Sequence, residues 1–226
     1  MKKIHAVAID GPAGAGKSTV AKIVSRELGY IYVDTGAMYR AIALFFLRKG
    51  ISAEDRPAME AALPEIDVSI RYVDGAQQVL LNGEDVSGLI RTEEVGNMAS
   101  AASAFPPVRE KLLSLQRSLA EREPVVMDGR DIGTVVLPDA DTKIYLTASV
   151  EVRAKRRFKE LAEKGIAADL GEVARDIEAR DYRDMHRETA PLKQAEDAVL
   201  VDSSDMTLAE VCGTILSIAR GERKEA

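Results

Sequence analysis

GPAGAGKS, residues 11–18, is the stretch that decides the fold, because it fits the pattern G-x-x-x-x-G-K-[ST] at every fixed position. Glycines let a loop wrap closely around phosphate oxygens, and the loop amides converge at the positive end of a helix. Lys17 adds a cation for the outer phosphates of a nucleoside triphosphate, and Ser18 offers a hydroxyl to Mg²⁺. We expect ATP to be bound by Gly11, Pro12, Ala13, Gly14, Ala15, Gly16, Lys17, Ser18 and Thr19.

Strand and helix patterns alternate around this loop. Apolar, β-branched runs predict strands over residues 3–9, 30–33, 124–127, 143–147 and 198–201. Amphipathic stretches with recognisable end signals predict helices over residues 17–28, 38–49, 92–103, 107–121, 149–164, 169–185 and 207–220. This alternation favours an α/β fold, a P-loop NTPase core with a five-stranded parallel sheet flanked by helices.

The pattern changes at roughly residues 63–90. Short strand-like segments at 66–73, 78–82 and 84–86 are separated by Asp74-Gly75 and Asn82-Gly83, which are hairpin signals. We therefore expect a small antiparallel β insert within the otherwise parallel architecture.

The composition is that of an ordinary globular protein, with 46% hydrophobic and 30% charged residues. A net charge of −6 argues against binding to a nucleic acid polymer or an anionic membrane. The longest apolar run, residues 41–47, is too short to span a bilayer, and residues 1–10 do not resemble a signal peptide. One cysteine, Cys212, excludes an internal disulfide. We expect a cytoplasmic protein with no membrane or nucleic acid partner.

Arginines are concentrated in one region, since seven of them fall between residues 153 and 187. The planar guanidinium suits phosphate, so clustered arginines in an acidic protein indicate a small anionic ligand. For any single arginine, a solvated helix face remains the simpler interpretation.

A carboxylate for the metal is expected at Asp128, which ends the apolar run at residues 125–127. An aspartate at the end of such a strand is typical of the segment that helps to hold Mg²⁺ beside a P-loop. Ser18 and Asp128 are the expected metal ligands, and Lys17, Asp128 and Arg130 are the expected catalytic residues.

A second phosphate site is indicated by DTGAMYR at residues 34–40 and by GRD at residues 129–131. Bringing ATP together with a phosphorylated acceptor gathers about six negative charges, which the arginines must offset. A phosphate acceptor is already a nucleophile, whereas an alcohol would need a general base. The guanine-reading pattern N-K-x-D is absent, because neither Asn82 nor Asn97 precedes a lysine, and this weakens a GTPase interpretation.

Five segments together closely resemble the bacterial cytidylate kinase family: residues 10–19, 34–40, 91–109, 128–133 and 180–192. The resemblance covers almost the whole chain, and GRD with RDYRD at 180–184 is more specific than the P-loop. It implies a monomeric enzyme that uses ATP and Mg²⁺ to phosphorylate CMP or dCMP. Thr35 stands where some relatives carry serine.

The resemblance also implies domains and site residues. The P-loop core would comprise residues 1–34, 122–151 and 190–226, the monophosphate-binding region residues 35–121, and the short lid with acceptor-binding helices residues 152–189. It implies acceptor phosphate ligands at Arg40, Arg130 and Arg180, with the Thr35 hydroxyl nearby. It implies cytosine contacts at Ser100, Arg109 and Asp131, and contacts to the sugar and nearby phosphate at Asp184 and Arg187.

Some alternatives stay open at this stage. Any of Arg153, Arg156 and Arg157 is a candidate to close over the γ-phosphate, or the three form a solvated face. A kinase for UMP, AMP or a small alcohol is a second hypothesis. A nucleotide sensor or partner-binding ATPase without acceptor chemistry is a third, which the arginine-rich segment disfavours.

Overall fold

A computed structural model describes residues 5–222 of the 226 residues. Eight strands form two sheets: β1 Ala6–Asp10, β2 Ile31–Asp34, β3 Val68–Val73, β4 Ala76–Leu81, β5 Glu84–Asp85, β6 Val125–Gly129, β7 Thr142–Thr147 and β8 Val199–Asp202. Five of them pair in parallel in the order β2-β6-β1-β7-β8, and β3-β4-β5 pair in antiparallel fashion. The predicted parallel sheet and antiparallel insert are both confirmed.

Helices flank the parallel sheet: α1 Lys17–Leu28, α2 Thr35–Arg48, α3 Arg56–Ala62, α4 Glu93–Ala102, α5 Pro106–Arg122, α6 Val150–Glu163, α7 Leu170–His186 and α8 Leu208–Ala219. Helix α8 starts at the predicted capping box, in which Thr207 and Glu210 satisfy each other's backbone amides. None of the helices within residues 5–222 is long and apolar enough to cross a membrane.

Alternation along β1 divides the core into two layers. Ala6 and Ala8 pack into the cluster beneath α2, α4 and α5, whereas Val7 and Ile9 pack into the cluster beneath α1 and α8. All residues of β1 and β6 are buried, as expected for central strands of a parallel sheet that is covered on both faces. The carboxyl ends of β1, β6 and β2 therefore lie side by side at one edge.

The antiparallel insert is attached to the edge strand β2. The Gln77 side chain accepts a hydrogen bond from Asp34 N at 2.8 Å and donates one to Asp34 O at 3.3 Å. The Tyr72 hydroxyl donates to Tyr32 O at 2.9 Å. These bonds satisfy backbone groups that would otherwise be unpaired at the sheet edge.

Several local predictions were incomplete. Helix α2 begins at Thr35 rather than at residue 38, because the Asp34 carboxylate caps it by accepting from Ala37 N. Helix α3 was not predicted, nor was the π-helical turn Ile132–Val136. The first residues of the predicted strand 3–9 lie outside the described part of the chain.

Gly11 gives a test of how tightly the P-loop packs on the sheet. Its φ is 150°, and a Cβ added there would lie 1.9 Å from Leu146 O. We expect Gly11→Ala to lower the free energy of unfolding by about 3 kcal/mol or more, measured by urea denaturation. Gly165→Ala is the control, since Gly165 has a φ of 71° and, apart from its chain neighbours, no described atom lies within 4 Å of the added Cβ. Equal losses in the two variants would contradict the packing argument.

Candidate functional site

The P-loop connects β1 to α1, so the first turn of α1 lies at the carboxyl edge of the sheet. Gly16 ends the loop with a φ of 86°, and its carbonyl accepts the first helical hydrogen bond from Val20 N at 3.0 Å. The free amides of the first turn then face the loop, where the helix dipole favours an anion. The loop predicted from the sequence thus has the local structure of a phosphate cradle.

Lys17 is buried beneath this loop and donates a hydrogen bond to Pro12 O at 2.7 Å. Burial, followed by the nearby positive charge of Arg130, lowers the pKa of Lys17 to about 7. Asp128 acts in the opposite direction but does not compensate. An anion bound in the loop would therefore favour the protonated, positively charged form of Lys17.

Asp128 is the penultimate residue of β6 and lies next to the P-loop. Its carboxylate accepts hydrogen bonds from Ser18 Oγ at 2.9 Å and from the Tyr32 hydroxyl at 2.8 Å. Burial, and then the nearby charge of Asp34, raises the pKa of Asp128 to about 6. Sequence reasoning paired Ser18 with Asp128 but missed Tyr32, which carried no signal beyond its place in a strand.

This pair has the chemistry of a Mg²⁺ site. Magnesium prefers oxygen ligands and usually takes only one or two carboxylates, with waters and substrate phosphates completing its shell. Ser18 and Asp128 supply a hydroxyl and a carboxylate side by side. Within residues 5–222 no group of three or more His, Cys, Asp and Glu residues could hold a metal by itself. The residues present therefore fit a magnesium ion whose remaining ligands would be waters and oxygens of a bound phosphate.

Arg130 and Arg180 form the centre of a second cluster, next to Asp184. Arg130 Nε donates to Asp184 Oδ2 at 2.8 Å, and the Ser100 hydroxyl lies 3.4 Å from the same carboxylate. Burial works against ionisation of Asp184, but Arg130 lowers its pKa overall. Burial, and then Arg130, lowers the pKa of Arg180 to about 10. Arg180 Nε is buried and has no hydrogen-bond partner among the described residues, so it is available to a ligand.

Arg40 approaches the same cluster from α2. It donates to Ile90 O at 3.0 Å and to Thr92 O at 3.2 Å. Burial and Arg91 are the main causes that lower its pKa, with smaller effects from Arg157 and Arg130. The Thr35 hydroxyl, at the start of α2, donates to Asp128 O at 2.7 Å and so lies where β6 ends.

Arg109, Asp131 and Arg187 form a third group. Arg109 forms a buried ion pair with Asp131, and Arg187 Nη2 lies 3.6 Å from the other Asp131 oxygen. Both arginines also bind Ser103, Arg109 through the carbonyl at 3.2 Å and Arg187 through the hydroxyl at 3.0 Å. The Arg109 guanidinium lies over the ring of Tyr39, with Cζ 5.5 Å from the ring centroid. Sequence reasoning missed Tyr39 and Ser103.

Asp10 holds the loop that carries Arg130 and Asp131. Its two carboxylate oxygens accept hydrogen bonds from Ile132 N and Gly133 N, each at 2.8 Å. Burial is the largest effect and raises the pKa of Asp10 to about 6, although both amide bonds oppose it. A residue at the end of β1 thus fixes the turn that follows β6. Its position just before the P-loop was the only available signal.

The three candidate lid arginines on α6 differ sharply in their surroundings. Arg153 is buried and bonded to Ala13 O and Asp181. Arg156 donates to the Ser203 carbonyl at 2.7 Å. Among residues 5–222, Arg157 forms an ion pair with Glu160 of the same helix at 2.9 Å, and its side chain is partly exposed. Of the three, Arg157 is therefore the one most able to move towards a ligand.

Comparisons with known proteins give a consistent result. A family model described as cytidylate kinase matches residues 7–221. The chain is 51% identical to the cytidylate kinase of Caldicellulosiruptor saccharolyticus, over 96% of each chain. It is 50% identical to the cytidylate kinase of Lactobacillus johnsonii, over 96% of this chain and 95% of that one. The crystal structure of an uncharacterised protein from Eubacterium ventriosum shares the fold alone, with a TM-score of 0.55, 12% identity and coverage of 96% and 98%.

The low pKa of Lys17 predicts a pH dependence of stability. Between pH 7 and 10 the unfolded state holds a proton on Lys17 that the folded state releases, so stability attributable to this group rises with pH. We expect Lys17→Met to be more stable than the unsubstituted protein at pH 7. The difference should shrink by about 1 kcal/mol per pH unit towards pH 10, as measured by urea denaturation.

Lys49→Met is the matched control, because Lys49 lies at the surface in an ion pair with Glu65. Its stability relative to the unsubstituted protein should vary little over the same range. A Lys17→Met difference that stayed constant with pH would contradict the assigned burial effect.

Proposed function

We propose that this chain, which belongs to the cytidylate kinase family, transfers the γ-phosphoryl group of ATP to CMP or dCMP and releases ADP with CDP or dCDP. One arrangement carries the proposal. Asp128 and Gly129 are the last two residues of β6, and Arg130 and Asp131 follow directly after the strand. Asp128 binds Ser18 of the P-loop, whereas Arg130 and Asp131 belong to the two arginine groups on the acceptor side.

On the donor side, Gly11–Thr19 would hold the triphosphate through backbone amides, and Lys17 would contact its outer phosphates. In the free protein the Lys17 ammonium is turned to Pro12 O. When ATP binds, the Lys17 ammonium would exchange the Pro12 carbonyl for phosphate oxygens, whose negative charge would stabilise the protonated lysine. Lys17 then stabilises negative charge as the γ-phosphoryl group leaves ADP.

Ser18 and Asp128 would hold Mg²⁺, whose chemistry when bound is to neutralise charge shared by the β- and γ-phosphates. Tyr32 orients the Asp128 carboxylate through its hydrogen bond of 2.8 Å. Since Tyr32 binds Asp128 Oδ1, the other oxygen, Oδ2, is the one that binds Ser18.

On the acceptor side, Arg40, Arg130 and Arg180 would bind the monophosphate, with the Thr35 hydroxyl nearby. Burial and neighbouring arginines lower the pKa values of Arg40 and Arg180. A bound phosphate would offset the repulsion between these arginines, which supports the proposal. The acceptor oxygen is already anionic, so no general base is required. The arginines instead reduce the repulsion between the two phosphate groups.

The Arg109 group would recognise cytosine. The base presents an exocyclic amino donor beside two acceptors, N3 and O2. Asp131 can accept from the amino group while Arg109 donates to the acceptors, with the Ser100 hydroxyl as a further contact to the base. Arg187 lies beside Asp131 and also lowers the pKa of Asp184. Asp184 and Arg187 would therefore contact the sugar and nearby phosphate, as the resemblance implies.

Arg157 is the arginine that we place over the transferring phosphoryl group. Its effect on the pKa of Arg40 shows that it lies within electrostatic reach of the acceptor cluster. Closure of the lid would exclude water, which otherwise competes with the acceptor. The cytoplasmic location and the monomeric state stay predictions.

Substrate choice tests the proposal directly. A coupled assay of ADP release should show CMP and dCMP turned over at least tenfold faster, in kcat/KM, than UMP or AMP. Uracil reverses the donor and acceptor pattern that Asp131 and Arg109 would read, and each buried mismatch costs about 1–3 kcal/mol. UMP or AMP outpacing CMP would contradict the base assignment. ATP binding with no CMP-dependent ADP release would favour the sensor hypothesis.

Arg130→Met tests the acceptor phosphate site. We expect kcat to fall at least a hundredfold, because the charge lost lies between the two phosphates. Arg48→Met is the control, since Arg48 forms a surface ion pair with Glu84 and should leave turnover unchanged. Activity of Arg130→Met within tenfold of the unsubstituted enzyme would contradict the assignment.

A further inference from the structure

Helix α7 touches both pockets through neighbouring residues. Arg180 and Asp184, one helical turn apart, lie in the acceptor cluster. Asp181, between them in sequence, projects instead towards the P-loop. One rigid helix is thus attached to the donor loop and to the acceptor-binding arginines at the same time.

Asp181 and Arg153 together bind both backbone groups of Ala13. Asp181 Oδ1 accepts from Ala13 N at 3.1 Å, and Arg153 Nη1 donates to Ala13 O at 2.9 Å. The two side chains are joined to each other at 2.5 Å, and Arg153 Nε donates to Ala148 O at 2.8 Å. Ala13 lies in the middle of the loop, so this contact fixes its path.

The surroundings of the pair argue against a direct contact with substrate. The Arg153 side chain is 5% exposed and that of Asp181 is 9% exposed. Both Asp181 oxygens and two Arg153 nitrogens are already occupied by protein atoms. A buried ion pair is also a poor source of stability, since the cost of desolvation offsets most of its attraction.

We propose that Asp181, acting through Ala13 and Arg153, is a positioning residue that holds the P-loop in its ATP-binding shape. This inference rests on the proposed function only for the identity of the acceptor. A loop that is ordered in only a fraction of molecules binds its ligand more weakly by that fraction. Loss of the pair therefore weakens ATP binding and leaves the acceptor pocket intact.

Two variants separate positioning from stability. Asp181→Asn keeps the side-chain size but leaves the Arg153 charge buried without its partner, which destabilises the fold. The double variant Arg153→Met with Asp181→Leu removes both charges and leaves two apolar side chains that can pack against each other. In this variant Ala13 loses both of its side-chain hydrogen-bond partners. Asp197→Asn is the matched control, because Asp197 also pairs with a buried cation, Lys143, that holds a backbone carbonyl, at Pro138.

Calorimetric titration of each folded variant with ATP alone and with CMP alone measures the two pockets separately. We expect the Kd for ATP to rise at least tenfold in both Asp181 variants, with the Kd for CMP within twofold of the unsubstituted protein. The steady-state KM for ATP should rise with it, and Asp197→Asn should change neither constant.

Unchanged ATP affinity in the double variant would overturn the inference, and so would equal weakening of ATP and CMP, which is the mark of a merely structural role. If Asp181→Asn does not fold, the double variant decides. Failure of the proposed function appears differently, as an unsubstituted protein that binds ATP but does not phosphorylate CMP.

Discussion

The close approach of four cations that are partly or fully buried is the constraint on which the rest of the site depends. Lys17, Arg40, Arg130 and Arg180 approach one another at the carboxyl edge of the sheet, and the first, second and fourth have lowered pKa values as a result of burial and neighbouring positive charge. Arg130 differs from these three, because burial lowers its pKa but Asp184, Asp128 and Asp181 together raise it. A protein can hold such a cluster only if the surrounding packing is strong. The two buried layers on either side of the sheet provide that packing.

Carboxylates orient several of the cationic side chains of the site. Asp184 orients Arg130, Asp131 orients Arg109, and Asp128 lies opposite Ser18. Asp10 acts one step further away, since its carboxylate binds amides of the turn that carries Arg130 and Asp131. The arginine side chains are therefore oriented before a ligand binds, and they can still donate hydrogen bonds to it. Such preorganisation lowers the cost of ordering charged groups during phosphoryl transfer.

The sequence was most informative where backbone geometry leaves few options. The P-loop required glycine at fixed places, and the end of β6 required a run of apolar residues followed by Asp128, so both were predictable. Most partners of the site residues were not. Tyr32 and Gln77 act through contacts between residues far apart in the chain, and no local pattern marks them. Asp181 lies within the RDYRD motif, but nothing in that motif indicated that its carboxylate binds Ala13 N. The π-helical turn after Asp131 was missed for the same reason, because the Asp10 carboxylate holds its amides from another strand.

Proton uptake on ligand binding tests the central claim most directly. Burial and the nearby charge of Arg130 lower the pKa of Lys17 to about 7, so at pH 8 the free protein holds less than a full proton on this side chain. A triphosphate in the loop should restore the proton to Lys17. Calorimetric titration with ATP in two buffers of different ionisation enthalpy should therefore show net proton uptake, and Lys17→Met should show none. Equal binding enthalpies in the two buffers for the unsubstituted protein would contradict the account.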